Sequence, residues 1–164
     1  MFLNKIVLIF IGLLFFSCSH QNEKPSQKPK ELVFHSSKLE RKKNAPFSEA
    51  VEVGNLLFLA GQVGINPETG KLPEGGIEAE TKQTLENIKD VLLTHGSDMK
   101  HVIKCTVILS TTDDFAGFNK IFREYFPENK PVRTTFAADL LVGAKIEVDV
   151  IAVKVDGFKN TRIN

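Results

Sequence analysis

Glu147 and Asp149 stand two residues apart in the run Lys145 to Lys154, which alternates polar and apolar side chains. In a strand successive side chains point to opposite faces, so Ile146, Val148 and Val150 share one face and the two carboxylates share the other. Two acids on one face are either a solvated sheet surface or a place to manage a proton beside a substrate. The run before it, Val132 to Ala138, behaves alike: Arg133 and Thr135 point one way, with Val132, Thr134 and Phe136 the other. A guanidinium grips a carboxylate through two parallel hydrogen bonds. A strand pair offering Arg133, a small hydroxyl and Glu147 would therefore hold an anionic substrate beside a base. The alternative for Arg133 is an ordinary ion pair with an acid on the neighbouring strand.

Asn119 is a further candidate. Phe115, Phe118 and Phe122 form a helical apolar stripe, and Asn119 lies inside it, four residues after the first and three before the last. A buried-facing amide needs partners, either a structural cap or strand contact or a ligand. The remaining polar singletons carry no chemistry. Cys105, in an apolar strand, reads as a small buried hydrophobe. His95 and His101 lack a third ligand at metal spacing. Gly61 and Gly64 precede no helix N-terminus that would make them a phosphate loop. The basic stretch Arg41-Lys42-Lys43 reads as a solvated loop.

These side chains need elements to hold them. Glu31 to His35 is a possible first strand, and Val51 to Val53 and Leu56 to Ala60 form a hairpin across Gly54-Asn55. The second hairpin strand is apolar on both faces, which suits burial between a helical layer and some other cover, another subunit being one option. Asn66 to Gly70 is a turn by its chemistry. Ile77, Thr81, Leu85, Ile88 and Leu92 repeat at helical spacing, and Gly96 is placed to end that helix. Val102 to Leu109 is a strand. Thr112 is placed to cap a second helix running to Phe126, which Pro127 stops. With Val132 to Ala138 and Lys145 to Lys154, the order is β, β, β, α, β, α, β, β: an α+β fold, a six-stranded sheet with two helices on one face.

The chain has 164 residues, 42% hydrophobic and 25% charged, with 21 Lys plus Arg against 20 Asp plus Glu. One domain is the default, and there is no basic field for nucleic acid. Two cysteines, Cys18 and Cys105, are too few for a disulfide framework, and no Cys/His spacing suits zinc. At the N-terminus, Lys5 precedes the uncharged run Ile6 to Phe16, then Ser17-Cys18, after which the chain turns polar. That run is too short to cross a bilayer comfortably and reads as a secretory signal. A cysteine at its end resembles the bacterial lipoprotein signal, in which that cysteine is lipidated; a plain signal with Cys18 incidental is the alternative. Ser19 to Lys30 holds two prolines and no aliphatic or aromatic residue, and reads as a tether. The expected organisation is signal 1–17, anchor, tether and possible first strand 18–44, folded domain 45–156 and tail 157–164.

Taken in order, Ala45-Pro46-Phe47, Leu59-Ala60-Gly61-Gln62-Val63, Asn66-Pro67-Glu68-Thr69-Gly70, Asn87-Ile88, Asp114-Phe115 with Asn119, Pro131-Val132-Arg133 and Lys145-Ile146-Glu147-Val148 resemble the Rid/YjgF family of reactive-intermediate deaminases. The resemblance implies a chorismate-mutase-like fold, a homotrimer, and pockets at the subunit interfaces. It also implies hydrolysis of 2-imino acids such as 2-aminoacrylate and 2-iminobutyrate to 2-keto acids and ammonia, with no cofactor and no metal. By resemblance Arg133 binds the substrate carboxylate and Glu147 activates a water. Phe47, Gly61 and Asn119 contact the substrate in the pocket, and Thr135 offers its main-chain carbonyl. Phe47, Ala60 and Thr135 stand where many family deaminases have Tyr, Ser and Cys. A trimer that binds small carboxylates or keto acids without turnover is the competing reading. Balanced charge and export argue against a ribonuclease or translation inhibitor, and no nucleic-acid partner is expected. The expected place is the cell envelope, anchored to a membrane if Cys18 is acylated.

Overall fold

Gly54-Asn55 reverses the chain between β2 (Ala50–Val53) and β3 (Leu56–Leu59), with Gly54 at a φ of 62°, and Val53 pairs directly with Leu56. These strands belong to a computed structural model that describes residues 31–155 and Gly157. The expected signal 1–17, Cys18, the tether 19–30 and residues 158–164 of the tail lie outside the described residues. The other elements are β1 (Leu32–His35), β4 (Gln62–Val63), α1 (Gly76–Thr94), β5 (Val102–Leu109), α2 (Phe115–Tyr125), β6 (Val132–Ala137) and β7 (Ile146–Val153). Thr111, rather than Thr112, accepts the capping hydrogen bond, from the Asp113 N–H at 3.3 Å. The turn Thr112–Asp114 is 3-10 and α2 proper begins at Phe115.

Six strands form one continuous path, β1-β2-β3-β7-β5-β6, and the short β4 also pairs with β7. It is set off from β3 by a bulge. Phe58 pairs with Ile151 and Gln62 with Val148, so β3–β4 advances one residue further than β7 between those pairs, around Ala60-Gly61. β5 and β6 are parallel, joined by α2 as a crossover, whereas β7 runs antiparallel along the other edge of β5.

Both helices cover one face of the sheet. Leu85, Ile88 and Leu92 of α1, with Phe118, Ile121 and Phe122 of α2, pack on Leu57, Cys105, Val107, Val148 and Val150. Fully burying such a Leu, Ile or Phe contributes about 1.5–3 kcal/mol each. Among the described residues the opposite face carries no helix. Leu32, Phe34, Phe58, Val132 and Phe136 lie exposed on it, together with the half-buried Glu147 and Asp149.

Candidate active site

Arg133 points to the helix side of the sheet, beside Cys105 on β5. Its guanidinium carbon lies 4.9 Å from the Phe118 ring centre, 4.7 Å from Phe122 and 5.9 Å from Phe115. The phenylalanine stripe of α2 is thus a core stripe and a cation–π platform at once. Burial pulls the Arg133 pKa below its ordinary value, with the Cys105 thiol opposing and Arg123 adding to the shift. The group stays charged. Among the described residues it forms no ion pair, so the ordinary ion pair that the sequence left open is absent. A half-buried cation without a counter-charge is prepared for an anion.

Two residues along the same face, the Thr135 hydroxyl is buried without a hydrogen-bond partner among the described residues. It lines a pocket of about 220 Å³ with Leu109, Thr112, Phe115, Phe136 and Ala137, which wraps the outer edge of β6. Asn119 is half-buried on α2 between the phenylalanines and makes no hydrogen bond among the described residues. Neither the structural cap nor the strand contact considered for it is present. Cys105 is fully buried, and burial pushes its thiol up to about 12, so it is no nucleophile.

Glu147 sits elsewhere. Its carboxylate lies over Gly61 at the bulge, and a Cβ at Gly61 would collide with Glu147 Oε1. Glycine at this position is what lets the acid lie down on the backbone. Glu147 has no ion pair and no side-chain hydrogen bond among the described residues. Phe47 is exposed and does not line the pocket beside Arg133.

The strand pair expected from the sequence is therefore corrected. β6 and β7 are not neighbours, because β5 runs between them. Glu147 is in register with Ile108, and Arg133 with Cys105, residues on opposite faces of β5. A single chain brings Arg133, Thr135 and Phe115 together at one place, with Asn119 on the same helix as Phe115, and Glu147 with Gly61 at another. The phenylalanine platform was missed as part of the site. Its signal was an arginine on the helix-facing side of a strand, opposite an all-phenylalanine stripe.

The family described as Endoribonuclease L-PSP matches residues 38–154. The chain belongs to this family, the Rid/YjgF family. A RutC family protein of Pyrococcus abyssi is 40% identical to it over 126 residues, 76% of this chain and 98% of the relative. The mouse protein named 2-iminobutanoate/2-iminopropanoate deaminase is 38% identical over 110 residues, 66% of this chain and 82% of the relative. Among solved structures, the YjgF gene product of E. coli superposes with a TM-score of 0.68 at 28% identity, covering 75% of this chain and 99% of that one. This Rid/YjgF chain thus has the α+β fold expected of it.

Proposed function

We propose that this protein hydrolyses 2-imino acids to 2-keto acids and ammonia, in pockets that two copies of the chain assemble within a homotrimer. The observation that carries the reading is Arg133, a half-buried cation stacked on three phenylalanines with no carboxylate partner among the described residues. The relatives named as 2-iminobutanoate/2-iminopropanoate deaminases support it. Because Arg133 and Glu147 face opposite sides of one sheet, the substrate held by Arg133 meets the Glu147 of another copy.

Arg133 binds the substrate carboxylate bidentately and fixes the imine carbon, with Asn119 and Thr135 beside it. Glu147 takes a proton from water as the oxygen bonds to the imine carbon, and the imine nitrogen is protonated. The tetrahedral amino alcohol then loses its hydroxyl proton as the C–N bond breaks. One water is consumed, one ammonia leaves, and the 2-keto acid keeps its carboxylate. No cofactor enters these steps. With the N-terminal signal, this chemistry belongs to the cell envelope, on a chain tethered through Cys18.

The test is release of ammonia and keto acid from 2-aminoacrylate and 2-iminobutyrate generated in situ. The protein should exceed buffer hydrolysis, and Arg133→Ala should lower kcat/KM at least about a hundredfold, about 2.7 kcal/mol of transition-state stabilisation. Glu147→Ala should lower kcat. No acceleration, with 2-oxobutyrate still bound in an Arg133-dependent way, would leave a carboxylate-binding trimer and sink the hydrolase reading.

A further inference from the structure

The stretch Arg41-Lys42-Lys43 is not simply a solvated loop. A 3-10 turn over Glu40–Lys42 directs Lys42 inward, and its ammonium donates to Gln62 Oε1 at 3.0 Å. Gln62 is itself buried, and its amide donates to the Ala60 carbonyl at 3.1 Å. Lys42 stands in the wall of a cavity of about 190 Å³ between residues 37–42 and α1, which shares no lining residue with the pocket beside Arg133. Burial lowers the Lys42 pKa, with Glu49 opposing and Arg41 reinforcing.

The charges around this cavity are unevenly matched. Lys42 forms no ion pair within 4.0 Å among the described residues, and the only acceptor among them for its three donors is a neutral amide. Lys38 and Arg41 stand exposed at the cavity wall, again with no ion pair among the described residues. Two carboxylates, Glu49 and Asp90, also line it. Glu49 already accepts from Ser37 Oγ at 2.6 Å and lies 3.4 Å from His95 Nε2. Leu39 and Val91 supply apolar wall.

We propose that this cavity is a second ligand site, taking a small organic anion: a carboxylate on a short aliphatic body, its head on Lys42 and its tail against Leu39 and Val91. The volume suits about four to six carbons, since a cavity of about 150 Å³ holds benzene. A charge-assisted hydrogen bond to a half-buried ammonium supplies orientation, and the apolar wall supplies contact area. The site is independent of the imine-hydrolysis reading.

Calorimetric titration with hexanoate tests it, using the full chain carrying Arg133→Ala so that the other proposed carboxylate site is silent. One saturable site should remain. Lys42→Met should weaken it at least about tenfold, and Arg41→Gln, at the exposed rim, by a smaller factor of about three. Hexanoamide, which lacks the charge, should not compete. Absence of saturable binding, equal binding by Lys42→Met with an unchanged melting temperature, or equal binding of hexanoamide would each overturn the proposal. Imine turnover by the unsubstituted protein reads the other proposal separately.

Discussion

Arg133 and Thr135 share a physical signature, a half-buried cation and a buried hydroxyl that each lack a polar partner among the described residues. A buried hydroxyl without a hydrogen bond costs about 1–3 kcal/mol, so folding alone does not account for it. Thr135→Val keeps the shape and removes the hydroxyl. Its melting temperature should be equal or higher, while kcat/KM falls if the hydroxyl touches substrate; thermal unfolding and the ammonia assay read the two sides separately. A fall in stability would mean that the hydroxyl has a structural partner in the assembled protein. At this scale the sequence revealed residue types and faces, since alternation alone put Arg133 with Thr135 and Glu147 with Asp149. It could not reveal that Arg133 lacks a counter-charge. That depends on which acids the whole fold brings within reach.

Helices and the hairpin were legible because their signals are local: apolar spacing from Ile77 to Leu92, and Gly54-Asn55 between two strands. Strand order was not. The β5–α2–β6 crossover seats β6 parallel on one edge of β5 and leaves the other edge to β7, a long-range pairing that no local pattern encodes. The bulge after β3 was hidden for the same reason, and it has a measurable consequence. Gly61→Ala should displace the flexible end of Glu147, lowering kcat with little change in stability, within about 1 kcal/mol. An equal loss of kcat and melting temperature would instead place the strain in the backbone.

Element ends also set the acid limit. Glu49 is held below the usual carboxylate range by its hydrogen bond to His95, with Ser37 and Lys42 reinforcing and burial opposing. Glu52 is held low by Lys154, with His35 reinforcing and burial opposing. Depressed folded-state values mean that the unfolded chain takes up protons first. The stabilisation is present above the ordinary glutamate pKa of about 4.3 and is lost as pH falls through and below it. Melting temperature measured from neutral pH downward should drop there, and Glu49→Gln should show a shallower drop.

For the whole molecule, the decisive fact is that the helix-free face is apolar and exposed, with Phe34 66% and Phe136 47% accessible in the single chain. Patches of this kind mark association surfaces. Glu147 lies on this face and Arg133 on the other, so the proposed trimer requires each site to draw the two residues from different chains. Subunit mixing tests that requirement directly. Arg133→Ala and Glu147→Ala chains, each expected to be impaired alone, are unfolded together in equal amounts and refolded. If each site takes its arginine from one copy and its glutamate from the next, random assembly gives intact sites at about one quarter of interfaces. About a quarter of the original activity should return. If both residues act within one chain, every site in the mixture lacks one of them, and no activity returns whatever the ratio of the two chains.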